Sequence, residues 1–206
     1  SRNVKMVVVA CNTSSAVALP RIADSLPVPA IGVVASGVAA AIRAAASNHI
    51  GIIGTAATIR SRAYEYAILA RNDTVRVSAR ACPLFVPLAE EGWGEGEIAH
   101  LTAEAYLAEI KEASPEVLIL GCTHYPLLEG TIQDVMGDGG TLVNPAKQTA
   151  LDVKKYLEET GAMSGREEGG QILYYVSDTG EGFRRITRWF LGEEVPVRGS
   201  VDIESF

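Results

Sequence analysis

Two cysteines occupy the same kind of place in this chain. Cys11 ends the stretch VVVAC and is followed by Asn-Thr-Ser-Ser; Cys122 ends VLILGC and is followed by Thr-His. An apolar strand, a small residue, a thiol and a polar pair therefore occur twice. A cysteine is a base or a nucleophile only as the thiolate, and an ordinary one titrates near ~8.5, so it needs a polar or cationic setting to be activated. Asn12, Thr13, Ser14 and Ser15 supply such a setting at the first site, and Thr123 and His124 at the second. Two thiols in matched contexts suit the inversion of a carbon that bears an acidic hydrogen. One base removes the proton from one face, and an acid on the other face returns one. His124, two residues beyond Cys122, can tune that thiol or relay a proton. A single strand-end cysteine would be explained equally well as a small buried hydrophobe; the repetition favours chemistry.

Other reactive residues read more plainly. Cys82, in ARACPLF, lacks a polar escort and is read as structural. Thr55 and Thr58, in GIIGTAATIRS, stand where a strand turns into a helix. Their spacing fits a helix cap with its first turn, and it fits equally a grip on a substrate carboxylate or ammonium. Glu90 and Glu91 read as solvated loop acids. His49 and His100 read as packing or surface residues, at the end of one helical stretch and inside another. The histidines have no zinc-like spacing and no Cys-x-x-Cys pair exists, so no structural metal is expected. No glycine-rich phosphate loop is present and no lysine stands in a Schiff-base context, so no cofactor is expected.

The elements that must hold these residues alternate. Short β-branched runs at 5–9, 30–34, 50–53, 75–78, 117–120 and 172–176 are almost wholly apolar, the pattern of parallel strands covered on both faces. Between them, Ile98, Leu101, Ala105 and Ala108 step by three and four as one helix face, and Ser114-Pro115 stops that helix. Near the end, Asp178 or Thr179 caps a helix with an apolar face of Phe183, Ile186 and Phe190 and with Gly192 just past it. This alternation specifies an α/β fold with a mostly parallel sheet, whose ligands bind beyond the carboxyl ends of the strands. Both cysteines lie there, each leading into a helix N-terminus whose free N–H groups would favour a thiolate. The doubled motif implies two α/β units facing each other across a cleft. One comprises residues 33–143; the other combines 1–32 with 144–206, crossing over near Gly139-Gly140.

The chain has 206 residues and a formal net charge of −7, which gives no electrostatic reason to expect nucleic acid or an anionic membrane as a partner. Arg184, Arg185 and Arg188 read as a solvated helix face. No apolar run reaches the ~20 residues that span a bilayer, and no signal peptide is expected. Three cysteines, an odd number without secretory marks, point to a reducing cytoplasm. The start at Ser1 is read as a boundary or a truncation.

Taken together, VVVACNTSSA, IGTAATIRSRAY, CPLFVPLAEEG and LGCTHYPLL resemble glutamate racemase, the cofactor-independent enzyme of bacterial wall synthesis. The resemblance covers essentially the whole chain. It implies two doubly wound, flavodoxin-like domains with the site between them, and D-glutamate supplied to peptidoglycan. It implies Cys11 as the base acting on D-glutamate and Cys122 as the base acting on L-glutamate. Asn12, Thr13 and Thr123 hold the substrate, His124 assists Cys122, and Thr55 and Thr58 line the pocket. It further implies a homodimer. His124 favours glutamate over aspartate, since related aspartate racemases tend to carry an acid there. Three features depart from the family. The Asp-Ser-Gly loop and the Pro-Tyr-Gly segment that precede Cys-Asn-Thr are absent, and Ala57 stands where glycine is common. The first unit is therefore expected to be incomplete, without the aspartate partner of Cys11 and with an exposed sheet edge. The competing readings are a catalytically impaired relative serving as a ligand-binding or interaction module, an aspartate racemase, and thiol hydrolysis of an amide or ester.

Overall fold

The computed structural model describes residues 4–46, 48–166, 169–177 and 180–203. In chain order the elements are β1 (Val7–Val9), α1 (Asn12–Val17), α2 (Leu19–Ser25), β2 (Ala30–Gly32), α3 (Val33–Ala44), β3 (His49–Gly54), α4 (Ala56–Ser61), α5 (Ala63–Leu69), β4 (Arg76–Ala81), α6 (Phe85–Glu90), α7 (Glu97–Ala113) and β5 (Val117–Gly121). A 3₁₀ turn at Tyr125–Leu128 follows, then α8 (Glu129–Met136), β6 (Thr141–Val143), α9 (Pro145–Glu159), β7 (Tyr174–Val176), α10 (Glu181–Leu191) and β8 (Val197–Ser200).

Among the described residues the strands form three parallel groups: β1-β2, the four-stranded β4-β3-β5-β6, and β7-β8. The runs HIGIIG and VLILG lie at the centre of the four-stranded sheet and are buried at every position. Helices cover both of its faces. One side packs Phe85, Leu88, Leu107, Leu128 and Ile132. The other packs Val34, Val38, Tyr64 and Ile68. Each fully buried Leu, Ile or Phe stabilises the fold by about 1.5–3 kcal/mol over an exposed one. Among the described residues, no helix is long and apolar enough to cross a membrane.

Several expectations from periodicity need correcting. Helix α7 and its stop are where the sequence puts them, with Ser114 in the left-handed conformation as the cap. The buried face is a different one: Ala99, Ala103, Leu107 and Ile110 face the sheet, while Ile98 and Leu101 are 56% and 57% exposed. Both stripes have helical spacing. Each also carries two alanines, so only packing against the sheet selects the one that takes the inside. His49 begins β3 rather than ending a helix. It is buried, with Nε2 2.9 Å from Ser78 Oγ and Nδ1 2.7 Å from an Arg76 guanidinium nitrogen. The run at 30–34 is a strand only to Gly32, after which Val33 opens α3. Strands β6 and β8 were not anticipated. Their three and four residues are too short for a periodic signal. Helix α10 ends on a left-handed Gly192 as expected. The expected caps Asp178 and Thr179 lie outside the described residues.

Candidate active site

Cys11 follows β1 and is itself the N-cap of α1: its backbone is extended and its Sγ accepts the Ser14 N–H at 3.5 Å. Ser15 fixes this turn from behind. Its hydroxyl donates to the Val9 carbonyl at 2.7 Å and accepts the Val33 N–H at 3.2 Å, tying the thiol loop to both β1 and α3. Partial burial pushes the Cys11 thiol up, but hydrogen bonds from Ser14 and Thr13 outweigh it and hold the thiol below its ordinary value. With a helix of six residues, these local donors matter more than a macrodipole.

Cys122 follows β5, the most deeply buried strand, and is only 6% exposed. Burial pushes its thiol above the ordinary value against hydrogen bonds from His124 and Thr123, and a negative charge on Cys11 pushes it in the same direction. The expected thiolate-favouring helix end is therefore not what governs this residue. The chain leaves β5 through a turn into the 3₁₀ segment, and removal from water dominates. His124 Nδ1 lies 3.8 Å from Cys122 Sγ and 3.4 Å from Thr123 Oγ1. Its Nε2 lies 3.4 Å from Glu90 Oε1. Glu90, read from sequence as a solvated loop acid, thus ends α6 beside the histidine, and Glu91 pairs with Arg185 at 3.2 Å.

The threonines form a cluster of their own. Thr13 Oγ1 is 2.8 Å from Thr55 Oγ1 and 3.0 Å from Thr58 Oγ1, and Thr55 and Thr58 are 3.0 Å apart. Thr55 is also the N-cap of α4, accepting the Thr58 N–H. Of the two readings that spacing left open, the helix cap is the one seen in the structure. One residue caps its helix and presents its hydroxyl to the Cys11 loop.

A cavity of about 410 Å³ opens at these strand ends. Ala10, Asn12, Cys122 and Thr123 line it, whereas Cys11, Thr13, Thr55, Thr58 and His124 are not among its lining residues. Asn144, Trp189 and Phe190 line it too, and sequence reasoning gave none of them a place in the site. Asn144 caps α9, accepting the Ala146 N–H at 3.0 Å. A third strand end leading into a polar cap was the signal available for it. Trp189 is placed by Gly92: that glycine has a left-handed φ of 74°, and a Cβ there would collide with the indole ring. Phe190 then meets the His124 ring edge to face at 6.3 Å. Cys82 is buried in the core beside the site, its thiol pushed up to about 12 by burial. Among the described residues, no group of three or more His, Cys, Asp or Glu side chains is arranged to hold a metal.

Comparison with known proteins gives the family. The sequence pattern of the Asp/Glu/Hydantoin racemases matches residues 1–150. The chain belongs to the Asp/Glu/hydantoin racemase family. A glutamate racemase of Geobacter metallireducens is 45% identical to this racemase-family chain over 204 residues, covering 99% of it and 76% of the relative. One from Lactiplantibacillus plantarum is 40% identical over 194 residues, covering 94% and 71%. The crystal structure of a glutamate racemase isoform from Bacillus anthracis superposes on the family member described here with a TM-score of 0.92 at 31% identity, covering 97% of this chain and 74% of the other. That of the Francisella tularensis enzyme, in complex with D-glutamate, gives 0.89 at 32% identity, covering 98% and 75%.

Proposed function

We propose that this racemase interconverts L- and D-glutamate without a cofactor by proton transfer between two thiols. The observation that carries the reading is the convergence of two matched strand ends on one cavity, lined by Ala10 and Asn12, the chain neighbours of Cys11, together with Cys122 and Thr123. With D-glutamate bound, the Cys11 thiolate takes the α-hydrogen, and the electron pair of the C–H bond passes into the α-carboxylate. The Cys122 thiol then gives its proton to the opposite face, leaving L-glutamate and a Cys122 thiolate. The reverse turnover exchanges the roles. Asn12, Thr13 and Thr123 hold the substrate's polar groups, Thr55 and Thr58 support Thr13, and His124 assists proton movement at Cys122. The volume suits a small diacid, at the lower end of the range for ligand pockets.

The proposal extends to the division of the chain, with residues 33–143 as one unit and 1–32 with 144–206 as the other. It extends also to a homodimer and to the bacterial cytoplasm, where thiols stay reduced and D-glutamate is drawn into peptidoglycan. Circular dichroism at 210–225 nm tests the activity. The signal of D-glutamate should decay to zero, and in deuterium oxide the L-glutamate formed should carry one deuterium at the α-carbon. Binding of D-glutamate with an unchanging signal would instead mark a ligand-binding module. Sedimentation reports the dimer separately.

A further inference from the structure

Tyr64 is remote from the thiols in sequence, yet it stands beneath both of their loops. It is buried in α5, 2% exposed, and its hydroxyl donates to Asn12 Oδ1 at 2.5 Å. Asn12 immediately follows Cys11 and lines the cavity. On its other side, Tyr64 closes on the end of β5. A Cβ added to Gly121, the residue before Cys122, would come within 3.4 Å of Tyr64 Cε2. A third contact fixes the hydroxyl end, where a Cβ at Gly37 would sit 3.3 Å from the phenolic oxygen. The ring is therefore wedged between α3, the Asn12 loop and the Cys122 strand end.

A phenol so deeply buried keeps its proton, and burial pushes its ionisation far above the ordinary value. It can then serve Asn12 Oδ1 only as a donor. An amide whose oxygen is taken in this way has a fixed orientation, with its NH₂ at the other corner. The Asn12 NH₂ makes no hydrogen bond to the described residues. No buried side-chain nitrogen or oxygen among them lacks a partner. With its oxygen held by Tyr64, the amide's other corner is the NH₂, and Asn12 lines the cavity.

We infer that Tyr64 is a positioning residue for the racemisation: it locks the Asn12 amide with its NH₂ group directed at a carboxylate of the substrate, on the face served by Cys11. This rests on the reading of the site as a glutamate racemase. Without the phenolic hydroxyl the amide is free to turn its oxygen into the cavity, where it would repel the carboxylate instead of binding it. The inference gives the sequence Arg-Ala-Tyr, six residues past Thr58, a task in the active site that no spacing rule assigns to it.

The test is Tyr64→Phe, which keeps the ring and removes the donor. KM for glutamate should rise about tenfold or more in both directions, the range expected for a lost hydrogen bond to a charged group, while kcat falls less than threefold. Asn12→Ala should raise KM similarly, and the double variant should be no worse than Asn12→Ala alone, because Tyr64 acts only through Asn12. Asn12→Asp keeps the acceptor for Tyr64 but sets a carboxylate against the substrate, and should weaken binding more than Asn12→Ala. Additive effects in the double variant, or an unchanged KM in Tyr64→Phe, would overturn the assignment. A second readout is independent of that substitution's folding: the ¹⁵N side-chain amide resonances of Asn12 in the unmodified chain should shift when glutamate is added, and no shift would equally overturn it. An unmodified chain that bound glutamate with that shift yet never racemised it would refute the racemase reading and leave the amide lock standing.

Discussion

The two thiol-bearing strand ends share a sequence plan and differ in almost every physical respect. Cys11 sits at the end of a three-residue strand in a two-stranded group, exposed, with its sulfur accepting a helix N–H. Cys122 sits at the end of a central strand in a four-stranded sheet, buried, with a histidine at 3.8 Å. The first environment favours the thiolate and the second the thiol. Such a pair gives up its first proton from Cys11 and its second from Cys122, the order that leaves one base and one acid for a two-base inversion. Two identical environments would leave that assignment to chance. The asymmetry also divides labour mechanically: the Cys122 end is anchored in the core, and the Cys11 end is held by side-chain hydrogen bonds.

The sharpest way to break the comparison is to remove each sulfur. Cys11→Ser and Cys122→Ser should each lower kcat/KM by roughly a thousandfold, within the range for general acid–base groups, as read by loss of circular dichroism decay. Retained turnover in both single variants would remove the two-base assignment. Next in size is the anchoring. Leu120→Ala, in the fully buried β5, should cost about 2–5 kcal/mol in urea unfolding. Val8→Ala in β1, where Val8 is 40% exposed, should cost under about 1 kcal/mol. Equal losses would mean that the two ends are equally rooted.

A smaller, roughly tenfold effect is expected in reactivity. At neutral pH iodoacetamide should label Cys11 well before Cys122, and Cys82 last, as followed by peptide mass spectrometry. Faster labelling of Cys122 would reverse the roles. The subtlest difference lies in the pH profile. With both thiols protonated there is no base; with both ionised there is no acid. Activity should therefore rise as pH passes the depressed Cys11 value and fall as it passes the raised Cys122 value, widening the active range on both sides of an ordinary thiol. The kcat/KM profiles for the two enantiomers should coincide, because their equilibrium constant is one at every pH. A single ascending limb would show that no acid is required.

Much of this was written in local sequence. An all-apolar run such as VLILG must be buried on both faces, and the thiol after it must emerge at the strand's carboxyl end, so Cys122 and Cys11 could be placed before any coordinates. Thr55 was legible as a cap or as a grip on the substrate, with spacing unable to choose, and Ser114-Pro115 as a stop. Other features were ambiguous for physical reasons. The chain at 97–113 carries two stripes of helical period, and only packing against the sheet selected Ala99, Ala103, Leu107 and Ile110. The expected helix-end activation of Cys122 failed because burial, invisible in a motif, outweighed it.

The sequence by itself determined the alternation of strands and helices and the chemical identity of the reactive groups, since both follow from residue type and short-range periodicity. Tertiary structure alone decided which distant side chains meet. It set Glu90 beside His124, Trp189 against Gly92, Thr13 against Thr55 and Thr58, and Tyr64 under Asn12. It also decided which thiol is held in water's reach and which is withdrawn from it. Burial and long-range contact are properties of the packed chain, and no stretch of neighbouring residues contains them.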